Sequence, residues 1–158
     1  IFEGKQAVQS QSYGPEARGG ASKSEVIISD EPIDYPKVTR CDALLAMTQQ
    51  ACDKYFHDLK QGGMLLVDSE LVKNIPEGEF RTVSLPIMQT AKLDLGREIV
   101  ANIVALGAMV ALTGIVSRKN AEQAVMSSVP VAFAELNRKA FNTGFDRAME
   151  ATAGLGLS

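Results

Sequence analysis

The sequence predicts a single α/β domain in which helices cover a mainly parallel sheet in three layers, with further helices towards the C-terminus. Two short apolar runs, 41–47 and 64–68, flank a segment with helical spacing, which is the pattern of buried parallel strands joined by a helix. From residue 87 onward the spacing is helical. The 158 residues suffice for one sizeable core, so we assign residues 1–150 to one domain and 151–158 to a flexible tail.

The first elements along the chain are strands followed by one helix. Residues 1–9 are typical of a helix end that leads into a strand, and residues 25–29 form a second, β-branched strand. Thr48 is placed to cap a helix over residues 49–59. The segment Lys60–Gly63 ends in two glycines and is predicted to stop that helix before the strand at 64–68.

The second half of the chain begins with a strand over residues 80–86. Polar and apolar residues alternate in this strand, which indicates a more exposed position than that of the two apolar strands. Four helices are then predicted, over residues 87–95, 97–116, 119–127 and 131–150.

The helix over residues 97–116 carries an apolar stretch that approaches the length of a membrane span. Asn102 would be costly in lipid, so we interpret the segment as a helix buried within protein. Gly107 allows two backbones to approach closely, which suits an interface with another subunit or a second copy, and equally suits a core helix. Asn102, Leu106, Gly107 and Ala108 form an Asn-x-x-x-Leu-Gly-Ala pattern on this helix.

Composition gives little support to several classes of partner. The formal net charge of −3 and the pI near 5.2 provide no electrostatic reason to expect nucleic acid or an anionic membrane. Proteins and small molecules are the expected partners.

The chemically reactive side chains form no recognisable catalytic set. Cys41 and Cys52 are the only cysteines, and two thiols cannot supply the four ligands of an iron–sulfur cluster, so we interpret them as reduced thiols. His57 is the only histidine and is expected to lie on a solvated helix face. The acidic stretch 30–36 is interpreted as a connection and not as a metal site. Asp68 ends an apolar strand, where it is predicted to cap a turn, or else to contact a ligand.

The most informative motif is a polar loop that precedes the strand at 25–29. Its core reads Tyr-Gly-Pro-Glu-Ala-Arg-Gly-Gly over residues 13–20, and such glycine-rich turns give a loop a defined shape. The Arg18 guanidinium is able to donate paired hydrogen bonds to a carboxylate or a phosphate, or else to pair internally with Glu16. The residues that carry the motif are Tyr13, Gly14, Pro15, Glu16, Arg18, Gly19 and Gly20, and a family resemblance described next implies that they face a partner or a coenzyme.

This loop resembles the Gly-Pro-Glu-x-Arg-Gly-Gly signature of the gamma subunit, or gamma domain, of 2-oxoacid:ferredoxin oxidoreductases, most closely the 2-oxoglutarate type. The resemblance extends to the strands around residues 42–68 and to the Asn-x-x-x-Leu-Gly-Ala pattern at 102–108. It implies that the helix with Asn102, Leu106, Gly107 and Ala108 takes part in an interface with other subunits or with a second copy. Family members usually open with a strand, a Gly-x-Gly-Gly-Gln-Gly loop and a helix. We therefore expect about 25 to 30 residues of that kind to be missing before Ile1.

The resemblance implies an accessory, non-catalytic subunit of a cytoplasmic, thiamine-diphosphate-dependent oxidoreductase. That enzyme converts a 2-oxoacid, such as 2-oxoglutarate or pyruvate, and coenzyme A to acyl-coenzyme A and CO₂. Thiamine diphosphate, Mg²⁺ and iron–sulfur clusters are then expected on partner subunits, and no cofactor, metal or catalytic residue on this chain. The implied partners are alpha and beta subunits, with a delta subunit or a second copy as further candidates, and ferredoxin indirectly.

Two interpretations therefore stand at the level of sequence. In the first, the loop at 13–20 faces the catalytic subunits, and Arg18 orients either the complex or the anionic coenzyme. In the second, the chain is an independent Rossmann-like module that binds a nucleotide or a coenzyme by itself, as the α/β alternation and Arg18 allow.

Overall fold

A computed structural model describes residues 1–12 and 22–155, and it contains five strands and five α-helices in those two ranges. The strands are β1 (Gln6–Ser12), β2 (Lys23–Ser29), β3 (Cys41–Ala46), β4 (Leu59–Asp68) and β5 (Arg81–Leu85). The helices are α1 (Gln49–Tyr55), α2 (Ile87–Gln89), α3 (Ala101–Thr113), α4 (Arg118–Ser128) and α5 (Ala134–Gly154). Single 3₁₀ turns cover Phe56–Asp58, Glu98–Val100 and Val131–Phe133, and a π-helical turn covers Thr90–Asp94.

The sheet consists of β3, β4 and β5 in that order, and all neighbouring strands are parallel. β4 is central, and its last six residues are buried. Because side chains alternate along a strand, Leu66 points into the core formed with α3 and α5, whereas Leu65 points into a second core that includes Cys52 of α1. The predicted α/β fold, with a parallel sheet between helical layers and with C-terminal helices, is confirmed.

β1 and β2 form a separate antiparallel hairpin. Gln6 pairs with Ser29 at its base, and Ser12 pairs with Lys23 at its other end. Among the described residues, these two strands pair with each other and not with the parallel sheet. Both strands were predicted from the sequence, and both are confirmed. The helix end predicted before the first strand is wrong, because the residues before β1 form a turn in which the Gly4 N–H bonds to the Ile1 carbonyl oxygen at 2.9 Å.

The region after α1 differs from the sequence prediction. Thr48 caps α1 as predicted, since its Oγ1 accepts a hydrogen bond from the Ala51 N–H at 3.2 Å. The α-helix ends at Tyr55, however, and Leu59 already belongs to β4, where it is buried and pairs with Cys41. The prediction that residues 60–63 stop a helix is therefore wrong. These residues extend a strand, because strand pairing and burial of Leu59 outweigh the local glycine signal.

The closest helix packing joins α3 to α5. A Cβ atom added at Gly107 would lie 2.0 Å from the Phe141 carbonyl oxygen, and one added at Gly144 would lie 1.9 Å from the Val104 carbonyl oxygen. The close backbone approach predicted for Gly107 is thus found within the chain. α5 continues to Gly154, so residues 151–154, which the sequence assigned to the tail, are helical.

Candidate functional site

The motif loop lies outside the described residues. Its assigned residues are Tyr13, Gly14, Pro15, Glu16, Arg18, Gly19 and Gly20, and their roles stay predictions. The residues on either side of this segment are described, because Ser12 of β1 pairs with Lys23 of β2. The hairpin is therefore the element that carries the motif.

Ion pairs and a cation–π contact hold the hairpin. Lys5 Nζ lies 2.8 Å from a carboxylate oxygen of Asp30, which closes the base of the hairpin. At its other end, Lys23 Nζ lies 2.6 Å from Glu25 Oε1 and 5.6 Å from the centre of the Tyr55 ring in α1. The hydrogen bond from Lys23 lowers the pKa of the Glu25 carboxyl.

The four residues assigned to an interface on α3 separate into two pairs. Gly107 and Ala108 are buried, and Gly107 contacts the α5 backbone. Asn102 and Leu106 are exposed, with 41% of Leu106 accessible to solvent. Only Asn102 and Leu106 are therefore available to a partner in the folded chain.

Leu106 borders an open apolar groove of about 320 Å³ between α3 and α4. The α3 side is formed by Ile103, Leu106 and Val110. The α4 side consists mainly of small residues such as Ala121 and Ala124, and their short side chains leave the groove unfilled. Its chemical character suits an apolar segment of another protein, and not a charged ligand.

Asp68, at the carboxyl end of β4, is fully buried and accepts three backbone hydrogen bonds. Its Oδ1 accepts from the Glu70 N–H at 2.8 Å and from the Leu71 N–H at 3.1 Å. Its Oδ2 accepts from the Met88 N–H at 2.7 Å. The predicted turn cap is confirmed, and the Met88 contact, which links two segments 20 residues apart, was not predicted from the sequence.

A second, polar pocket of about 280 Å³ lies near the amino ends of β4 and β5. Two of the charged groups around it are already bonded: Arg40 donates to the Leu59 carbonyl at 2.9 Å, and Lys60 pairs with Asp42 at 2.8 Å. His57 is exposed there and lies against the Phe56 ring, with ring centres 3.7 Å apart. No nucleophile and base are brought together in this pocket by the described residues that line it.

The two cysteines are free thiols in the sheet region. Cys41 donates to the Asp58 carbonyl oxygen at 3.5 Å, and Cys52 is fully buried. Burial raises the pKa of both thiols, which favours the neutral, unreactive form. Across the described parts of the chain, no three His, Cys, Asp or Glu side chains are grouped closely enough to hold a metal ion.

The apolar segment of α3 was predicted to lie within protein and not within lipid. Over residues 1–12 and 22–155, no helix combines the length and the apolarity needed to cross a membrane.

The structure thus combines a parallel α/β domain, a separate antiparallel hairpin and an apolar groove between α3 and α4. The family model described as pyruvate ferredoxin/flavodoxin oxidoreductase matches residues 1–147, and the chain belongs to this family.

Similar proteins indicate which kind of subunit within this family the chain resembles. The 2-oxoglutarate synthase subunit KorC of Methanocaldococcus jannaschii is 51% identical over 152 residues, which are 95% of this chain and 81% of that subunit. The crystal structure of a keto/oxoacid ferredoxin oxidoreductase gamma subunit from Geobacter sulfurreducens is 67% identical. The match has a TM-score of 0.86 and covers 95% of this chain and 84% of the Geobacter sulfurreducens chain.

A more distant structure shows the same fold inside a longer chain. It is the 2-oxoglutarate:ferredoxin oxidoreductase of Magnetococcus marinus, with a TM-score of 0.76 at 21% identity. The match covers 92% of this chain and 26% of that one. The predicted class, a gamma subunit of a 2-oxoacid:ferredoxin oxidoreductase, is confirmed by these comparisons. The alternative of an independent nucleotide-binding module is not supported.

Proposed function

We propose that this chain is the accessory, non-catalytic subunit of a cytoplasmic oxidoreductase that acts on 2-oxoglutarate. In that reaction 2-oxoglutarate and coenzyme A give succinyl-coenzyme A and CO₂, and the two electrons released pass to ferredoxin. The observation that carries the proposal is the 51% identity to a 2-oxoglutarate synthase subunit over nearly the whole chain. The coenzyme A and succinyl-CoA named for the Magnetococcus marinus structure agree with this chemistry.

The donor set of this chain does not fit an iron–sulfur cluster. Cys41 and Cys52 are its only cysteines, and Cys52 is enclosed in the apolar core beside Leu65. We therefore place the clusters, together with thiamine diphosphate and Mg²⁺, on alpha and beta partner subunits, with a delta subunit as a further candidate. Ferredoxin would then meet those subunits and not this one.

In this proposal, the chain contributes by positioning the loop at 13–20. The hairpin β1–β2 presents the loop at 13–20 to the catalytic subunits, close to the path of coenzyme A. Arg18 supports this role by its chemistry, because a planar guanidinium binds phosphate or carboxylate through two parallel hydrogen bonds. Leu106, which borders the apolar groove, and the exposed Asn102 beside it on α3 add a second contact.

Arg18→Ala is expected to reduce either assembly of the complex or its use of coenzyme A. Loss of charge-assisted hydrogen bonds to an anion predicts a weakening of about tenfold or more. The measurement is native mass spectrometry of the tagged protein from its own cells, followed by coenzyme A saturation kinetics of the intact complex. Arg18→Lys is the matched control, since it keeps the charge but loses the paired geometry.

Wild-type protein that co-purifies with larger chains, thiamine diphosphate and clusters supports the proposal. A wild-type monomer or homodimer without such partners contradicts it. If Arg18→Ala leaves both assembly and the coenzyme A dependence unchanged, the role assigned to the loop is wrong.

Leu106→Glu is expected to weaken partner binding by about tenfold or more, because it places a charge in the apolar groove without removing a fully buried side chain. Met149→Glu on α5 is the matched control, since Met149 is 49% exposed and does not line the groove. Binding is measured by titrating the partner subunits against each variant. Equal affinity of the two variants would exclude the groove, and a change confined to self-association would assign it to a second copy of this chain.

A further inference from the structure

Glu3, which precedes the hairpin, is bound to the start of α4, more than a hundred residues later. One of its carboxylate oxygens, Oε1, accepts hydrogen bonds from the Ser117 N–H and, at 3.0 Å, from the Asn120 side-chain amide. Ser117 is the N-cap residue of α4, and its Oγ accepts from the Asn120 N–H at 3.2 Å. Glu3 is thus added to a local cap that already exists.

The arrangement completes a capping box from outside the helix. In a local capping box, an acidic or amide side chain at the third helical position accepts from the N-cap N–H. The third residue of α4 is Asn120, and its amide donates to Glu3, so Glu3 takes the acceptor role. The hydrogen bonds from Ser117 and Asn120 lower the pKa of Glu3 to about 2, so the carboxylate stays charged at more acidic pH than an ordinary glutamate does.

The first turn of α4 also lacks a negative charge of its own. It begins with Arg118 and Lys119, and positive side chains are unfavourable near the positive end of the helix dipole. The Glu3 carboxylate supplies the charge of the favourable sign at this end. Hydrogen bonding and electrostatics therefore both favour the contact between Glu3 and α4.

Two residues beyond Glu3, Lys5 forms the ion pair with Asp30 that closes the base of the hairpin. The segment Glu3–Lys5 therefore connects α4 directly to the paired base of β1 and β2. A two-stranded hairpin is marginally stable by itself, so its orientation depends on contacts of this kind. The Lys23–Tyr55 contact is a further support at the other end.

We propose that Glu3 is a latch that fixes the hairpin β1–β2 to the N-terminus of α4. Glu3 is thus a positioning residue for the hairpin. Ser117 directly follows Val116, a residue that lines the apolar groove, so the latch connects the hairpin to the same helix that forms one side of the groove. The importance of this coupling for partner binding rests on the proposed function, whereas the latch itself does not.

The test is hydrogen–deuterium exchange of the full chain, read by mass spectrometry, for wild type, Glu3→Ala and Ser117→Ala. Glu3→Ala is expected to accelerate exchange in both the hairpin and the first turn of α4 by about fivefold or more, because losing a helix cap has an effect of this size. Exchange in β3, β4 and β5 is expected to stay unchanged. Ser117→Ala removes the local cap and the Ser117 side-chain hydrogen bond to Glu3, but it keeps the backbone N–H and the Asn120 amide that Glu3 binds. It is therefore expected to accelerate the first turn of α4 and to loosen the hairpin much less than Glu3→Ala does.

Unchanged hairpin exchange in Glu3→Ala would overturn the latch, because Glu3 would then act only as a helix cap. Equal loosening of the hairpin by Ser117→Ala would overturn it as well, because the effect would then follow α4 stability in general. Neither readout requires a partner subunit. A failure of the proposed function, seen as the absence of partners in native mass spectrometry, is therefore distinguishable from a failure of the latch.

Discussion

Gly144→Ala is expected to lower the free energy of unfolding by about 3 kcal/mol, or to prevent folding, although alanine normally strengthens a helix. The added Cβ would lie 1.9 Å from the Val104 carbonyl oxygen and 2.7 Å from its carbon. Both are backbone atoms of α3, so no side chain is able to rotate away. Separating α3 from α5 would disturb the core around Val104 and Ala140, and this cost exceeds the gain of about 1 kcal/mol in helix propensity.

The same helix offers a matched control in Gly154. A Cβ at Gly154 meets no described atom within 4 Å, so Gly154→Ala is expected to be neutral or slightly stabilising. Urea unfolding followed by circular dichroism measures both variants. Gly107→Ala tests the opposite side of the crossing, and it is expected to lower stability by a similar amount. The two effects are not expected to be additive, because either added Cβ forces the same two helices apart. An unfolding midpoint of Gly144→Ala equal to that of wild type would contradict the packing described for α3 and α5.

The α3–α5 crossing also refines the interface assignment. The sequence pattern around Gly107 favoured a close helix contact but did not distinguish a partner from another part of the same chain. The structure shows that α5 supplies the contact, and it leaves Asn102 and Leu106 exposed. Variants at Gly107 are thus expected to report on stability, whereas variants at Leu106 report on association.

The parts of the fold that were predictable share a strong local signal. The strand β3, the second half of β4 and the long helices α3 and α5 were predictable from apolar runs or from helical spacing in the local sequence. The Thr48 cap was predictable because a cap bonds to residues two or three positions away.

The sequence prediction was wrong or incomplete where contacts between residues far apart in the chain determine the structure. The glycines at 62 and 63 give the same local signal whether they end a helix or extend a strand, and only the pairing of Leu59 with Cys41 resolves it. The contact of Glu3 with Ser117 has no counterpart in any sequence window, because the two residues meet only through the tertiary fold. The motif loop at 13–20 is the opposite case: its sequence is highly informative, and its role stays a prediction.

Asp68→Ala is expected to cost about 3 kcal/mol or more of unfolding free energy, because it leaves three backbone N–H groups in the fold without their acceptor. Asp68→Asn is expected to cost less, since one amide oxygen is still able to accept, but its NH₂ group would face an N–H donor. Asp42→Asn is the control: the Asp42 side chain is 86% exposed, and its ion pair with Lys60 is expected to contribute less than about 1 kcal/mol.

The same three variants distinguish a structural carboxylate from a ligand-binding one at the carboxyl end of β4, where α/β sheets often bind ligands. Because both oxygens of Asp68 already accept from the backbone, we expect the loss of stability to appear in the full chain by itself, in urea unfolding without any partner or substrate. In the assembled complex, Asp68→Asn is then expected to reduce the yield of intact enzyme and to leave the turnover of each assembled molecule unchanged. Normal stability combined with a loss of turnover would reverse this interpretation and assign Asp68 to a ligand.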